Sequence, residues 1–74
     1  MEPKTALAVF LKEKRKLRKL TQPELAKKAG VGLRLVREIE QGKTSMRVDK
    51  VNQILKLFGH QLGPVQINRD KPVL

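Results

Sequence analysis

The sequence predicts an all-α domain of four short helices followed by a brief C-terminal strand. Three observations carry this: apolar residues recur at helical spacing, glycines stand just past three of the periodic windows, and Thr21 with Glu24 forms a capping box. The first helix is expected over residues 5 to 18, with Leu7, Phe10, Leu11, Lys14 and Leu17 tracing one face and Thr5, after Pro3, as N-cap. The second covers about 22 to 29, tolerates Pro23 in its first turn and buries Leu25, Ala26 and Ala29. Gly30 ends it. The third covers 33 to 40, turning Val36 and Ile39 inward and Arg34, Arg37 and Glu38 outward, and stops before Gly42. The fourth runs from near Val48 to Phe58, where Val51, Ile54, Leu55 and Phe58 keep the i, i+3, i+4, i+7 spacing, with Thr44 or Ser45 as its cap and Gly59 as its stop. Beyond His60, Val65 and Ile67 alternate with Gln66 while Pro64 forbids a helix, so 61–67 is expected as a strand. Residues 1–67 then form one domain, and 68–74, without periodicity, a mobile tail.

Seventy-four residues bury only a modest core, so dimerisation would help this chain. With no Cys and a single His, disulfides, zinc clusters and thiol chemistry are excluded, and a reducing cytosol suits the composition. The N-terminal apolar stretch from Ala6 to Leu11 lacks a cleavage site, and no run approaches the roughly 20 residues that cross a bilayer. A soluble cytoplasmic protein without membrane contact is expected. Seventeen Lys or Arg against 7 acids give a net charge of +10 and name polyanions as partners. Nothing suggests an enzyme: no nucleophile sits beside a base, no carboxylate pair lies in an apolar setting, and the glycines punctuate helices rather than cradle phosphate. No cofactor or metal is expected.

Two short helices joined by a glycine-containing turn, within Leu20 to Lys43, are the pattern of a helix-turn-helix unit, whose second helix lies in the DNA major groove. The dense run Lys12, Lys14, Arg15, Lys16, Arg18, Lys19 is either a solvated helix face or a phosphate-facing surface beside that unit.

The segments Thr21 to Ala26, Gly30-Val31 and Val36 to Lys43 resemble the Xre/Cro family of helix-turn-helix regulators, over roughly residues 5 to 59. Val31 to Glu38, Asp49-Lys50-Val51 and the stretch from Gln61 to Ile67 are similar to HipB-like antitoxins. The resemblance implies a compact lambda-repressor-like domain in which the first turns of the third helix meet base edges. Leu33, Arg34, Arg37 and Glu38 become the base-contacting candidates. Arg34 leads them, since its planar fork can donate twice to guanine O6 and N7, while Arg37 would meet a base or a phosphate. Leu33 stands where many relatives carry a polar residue; it can touch a thymine methyl or pack against the turn. Gly32, in place of a Ser or Thr cap, lets backbone approach DNA. Gln22, Lys43 and Arg47 are the phosphate-contacting candidates, Gln22 by resemblance. Arg15 and Glu40 occupy the positions of a buried arginine–carboxylate pair in the phage-repressor branch, which implies a structural link between the first and third helices.

Together these features lead to a DNA-binding repressor reading a palindromic operator as a homodimer, and the resemblance implies the antitoxin of a HipBA-type operon that binds a HipA-like kinase toxin. Leu62, Val65 and Ile67 would form the dimer strand, paired antiparallel with a second copy. Two alternatives stay open: a stand-alone phage or housekeeping repressor without a toxin, and a protein or RNA adaptor. His60 is expected as a surface or dimer-contact residue.

Overall fold

The computed structural model describes residues 5–66. Four helices follow in order: α1 (Ala6–Leu17), α2 (Gln22–Ala29), α3 (Leu33–Glu40) and α4 (Val48–Leu55), the last continued by one 3-10 turn, Lys56–Phe58. The Thr5 hydroxyl accepts from the Ala8 N–H at 3.0 Å and so caps α1. At α2 the capping box closes both ways: Glu24 N–H donates to Thr21 Oγ1 at 3.2 Å, and Thr21 N–H to Glu24 Oε1 at 2.8 Å.

Each helix ends on the same device, a residue at positive φ followed by an N–H that reaches back five residues. Leu20 donates to Arg15 O, Val31 to Ala26 O, Lys43 to Glu38 O and His60 to Leu55 O, each at 3.0 Å. Glycine occupies three of the four positive-φ positions, and Lys19, at φ 56°, the fourth. A side chain there costs on the order of 1 kcal/mol that glycine avoids. At Gly30 the demand is stricter, because an added Cβ would stand 3.2 Å from Gln53 Nε2. That amide donates to the carbonyls of Ala29 at 2.8 Å and Gly30 at 3.1 Å, so α4 caps the end of α2.

The core gathers Leu11 from α1, Leu25 and Ala26 from α2, Val36 and Ile39 from α3, Val51, Ile54 and Leu55 from α4, and Phe58 beyond it. Helix α3 packs against both α1 and α2, and α2 also against α4. One expected face is different. Leu17 is 74% exposed, because α1 turns Ala8, Leu11 and Arg15 toward its neighbours, and Leu17 lies about 200° round the helix from Arg15. Lys14, expected on the apolar face, instead carries its ammonium 5.6 Å from the Phe10 ring centroid.

One further expectation is corrected, and another is not met within the single chain. Helix α4 is capped by Arg47 and not by Thr44 or Ser45, with no side-chain cap bond; the Arg47 guanidinium goes instead to Asp49 in the first turn. No strand forms over residues 61–66. A strand is defined by a ladder, and the helices of a single chain offer it no edge. Leu62 packs on the core instead and its N–H donates to Asn52 Oδ1 at 2.7 Å, while Val65 stands 82% exposed. Ile67 and the tail expected at 68–74 lie outside the described residues.

Lys19→Gly should raise unfolding free energy by about 0.5–1 kcal/mol, and Gly30→Ala should lower it by about 1–2 kcal/mol. Urea denaturation of the two variants checks both signs; equal effects would mean that the turn geometry is not what limits these positions.

Candidate nucleic-acid interface

The outward face of α3 is set by what holds its inner end. Glu40, the last residue of α3, is 3% exposed, and Arg15 of α1 meets it with a two-pronged fork: Nε to Oε2 at 2.7 Å and Nη2 to Oε1 at 2.9 Å. The third guanidinium nitrogen donates to Leu20 O at 2.9 Å, and Gln22 at the start of α2 adds its amide to Glu40 Oε1 at 3.0 Å. Burial pushes the Glu40 carboxyl up, but the hydrogen bonds from Arg15 and Gln22 and the nearby charges of Arg15 and Lys12 outweigh it, holding the group below its usual value. The hydrogen bond to Glu40 raises the Arg15 guanidinium, against the opposing effect of burial. One buried carboxylate thus joins α1, α2 and α3.

Outward from this lock, the sequence-derived candidates fall into separate groups. Leu33 is half-buried and packs against the core, so Arg34 is the first α3 side chain to stand clear, at 91% exposure. Its Nε lies 3.3 Å from Glu38 Oε2, and Lys43 Nζ lies 3.2 Å from the same oxygen. Base candidates Arg34 and Glu38 and phosphate candidate Lys43 are therefore brought together. Arg47 lines the same cleft as Glu38 but is forked on Asp49, at 3.2 Å and 2.8 Å, with both side chains exposed. Gln22 gives its amide to the Glu40 lock.

Arg37 is exposed on the other flank of α3. There it lines a concavity of about 750 Å³ with Lys12, Lys16, Lys19 and Gln22. A cleft of about 400 Å³ runs along the opposite flank, between the turn at Gly30 to Gly32, where α3 begins, and Ser45, Arg47 and Lys50. The start of α3 has no side-chain cap, which leaves its positive end toward that cleft. Cations on both flanks and Arg34 between them suit a polyanion whose charges lie on two rims of a groove. Lys16 and Lys19 were visible in the sequence only as members of a charge run, and Lys50 only within the Asp49-Lys50-Val51 stretch that carries a family likeness. What singles them out is their place beside α3, Lys16 and Lys19 on one flank and Lys50 on the other.

Arg15→Ala should cost about 3 kcal/mol or more, since it leaves Glu40 buried with its main partner gone, whereas Lys16→Ala should stay within about 0.5 kcal/mol. Thermal melts of both variants decide this, and small equal effects would remove the lock as a source of stability. The same pair sets an acid limit. A carboxyl lowered from 4.5 contributes stability that is fully present above about pH 4.5 and fades as pH falls through the folded-state value. Glu40→Gln should therefore flatten the loss of stability below about pH 4.5, read as the slope of unfolding free energy against pH.

Residues 11–62, more than half of the chain, match the helix-turn-helix family. Over 45 residues the chain is 47% identical to an uncharacterized HTH-type transcriptional regulator of Sinorhizobium fredii, y4mF. That match covers 61% of this chain and 59% of the relative, so the chain spans well under two thirds of the regulator it resembles. The matched span contains the turn at Gly30, the whole of α3 and both partners of the buried pair, and by it this chain belongs to the Xre-type helix-turn-helix family.

Proposed function

We propose that this chain is a sequence-specific DNA-binding transcriptional regulator that reads the major groove with α3. The observation that carries the reading is the pose of α3: its inner end is locked by Arg15, Glu40 and Gln22, its outer face presents Arg34 and Arg37, and basic residues flank it on both sides. A rigid helix with arginines at the tip is suited to base edges, and flanking lysines to phosphate. Arg34 contacts a guanine. Leu33 packs and lends at most a methyl contact, and Arg37, beside Lys16 and Lys19, belongs to the phosphate set. Lys43 and Arg47 serve phosphates on the opposite rim once their internal carboxylate partners give way. No catalytic role and no cofactor are part of this proposal.

A single small reader makes few base contacts, so the regulator acts as a two-fold homodimer on an inverted repeat and represses its own operon. The seam is the segment after Gly59. His60 stacks on Phe10 with ring centroids 4.7 Å apart, Asn52 holds the Leu62 N–H, and the exposed Val65 and Gln66 lie beyond them. An antiparallel ribbon with the same segment of a second copy would satisfy that backbone. The likeness of Val31 to Glu38 and of the 61–67 segment to HipB-like antitoxins supports the finer reading: the antitoxin of a HipBA-type operon, with a HipA-like kinase toxin as partner.

Selecting bound sites from random duplex tests the reading; an enriched palindrome with half-sites about 34 Å apart, or a small multiple, is expected, and an unenriched pool would end it. On the selected site Arg34→Ala should cost about 1–3 kcal/mol and relax preference at one guanine, while Lys16→Ala should weaken all sequences alike. Truncation after Gly63 keeps Leu62 and its hydrogen bond but removes Val65 and Ile67 from the ribbon, so sedimentation should fall from twice the 8.4 kDa chain to a monomer. A truncated chain that stays dimeric would place the seam elsewhere.

A further inference from the structure

Glu38 is an unusual residue to place on a helix that meets DNA, because its charge repels phosphate. Its surroundings show what it does there. One oxygen, Oε2, takes Arg34 Nε at 3.3 Å and Lys43 Nζ at 3.2 Å. The contact with Lys43 is built in twice over, since the Lys43 backbone N–H also donates to Glu38 O at 3.0 Å in the turn that ends α3. Glu38 is 24% exposed and is the one acid among the residues lining the cleft, where Leu35 and Met46 give it an apolar wall and Arg47 and Lys50 a basic rim. Helix stability does not account for the arrangement. Arg34 lies toward the positive N-terminal end of α3 and Glu38 toward the negative C-terminal end, which is the less favourable order for an i, i+4 pair.

Resting on the DNA-binding reading above, we propose that Glu38 is a specificity-determining residue: its carboxylate holds Arg34 and Lys43 back from random duplex and releases them only where a base-edge amino group of cytosine or adenine takes their place. The chemistry is one of exchange. On random DNA, releasing the two cations to phosphate would leave a carboxylate facing a polyanion with no donor. At the correct site, the amino group donates to Glu38, Lys43 turns to a phosphate and the Arg34 fork turns to its base. Pairs this exposed are weak enough to be exchanged on binding.

The test compares the full chain with Glu38→Gln, which keeps the shape and removes the charge. Anisotropy titrations are run on the selected duplex and on a random duplex over a range of salt. The variant should bind random duplex about three- to tenfold more tightly, with a salt slope steeper by about 1 as a released lysine takes up a phosphate. Its preference for the selected duplex over the random one should fall by about tenfold. The melting curve should be nearly unchanged, which separates this effect from folding. As an independent measurement, Lys43→Gln should weaken random-duplex binding more in the Glu38→Gln background than in the wild type, because only there is the lysine already released. If Glu38→Gln leaves the preference unchanged while the wild type still discriminates, the inference is overturned and the DNA-binding reading stands. Wild-type protein that shows no preference for any duplex overturns both.

Discussion

The buried carboxylate of Glu40 is the constraint on which the rest of this domain depends. It stands at the negative end of α3, where a second negative charge is least welcome, and it is removed from water. Only a close, oriented cation makes that tenable. Arg15 supplies one with a geometry that fixes direction as well as distance, and its remaining nitrogen ties down Leu20 in the link to α2. Gln22 then fixes the first turn of α2 to the same carboxylate. A well-packed apolar trio could hold these helices together as firmly; the ion pair adds a preferred crossing between α1 and α3, and hence a defined presentation of Arg34 and Arg37.

Acids are few in this chain, and the described ones near the interface are put to local use. Glu24 closes the capping box, and the Thr21 backbone N–H that donates to it is the main reason its carboxyl is held low. Glu38 meets Arg34 and Lys43, Glu40 meets Arg15, and Asp49 takes Arg47. The concavity of Lys12, Lys16, Lys19 and Arg37 also has an acid, Glu40, but that carboxylate is buried and already forked on Arg15. The large net positive charge is therefore uneven, concentrated on one flank of α3 and tempered by carboxylates on the other. Phosphate would meet little internal competition on the first flank and direct competition on the second.

The C-terminal segment illustrates how a helical domain can hold an irregular piece of chain in a chosen direction. His60 Nδ1 lies 2.6 Å from Phe58 O and its ring stacks on Phe10, and Asn52 takes the backbone of Leu62. These contacts come from α1 and α4, so the direction in which the chain leaves Leu62 is coupled to the packing of the helices beneath it.

Residue order by itself determined the helices and most of their ends. Capping boxes, positive-φ glycines and apolar spacing act within a few residues, so Thr21 with Glu24, Gly30, and the run Val51, Ile54, Leu55, Phe58 were legible before any packing was known. The resemblance carried by Thr21 to Lys43 went further and pointed to Arg15 and Glu40, which spacing alone could not have joined across 25 residues. What remained hidden was what depends on the approach of distant segments. Leu17 keeps helical spacing with its neighbours but finds no partner on its side of α1, and a period in sequence does not say how wide the buried stripe will be. Lys19 adopts a backbone usually left to glycine because the closing turn after α1 demands it. Gln53 caps a helix that ends 24 residues before it, Gln22 turns to Glu40 rather than outward, and Glu38 gathers two cations from either side of it. The alternation around Val65 met no strand edge in this chain, because a ladder needs a second backbone and no local pattern can supply one.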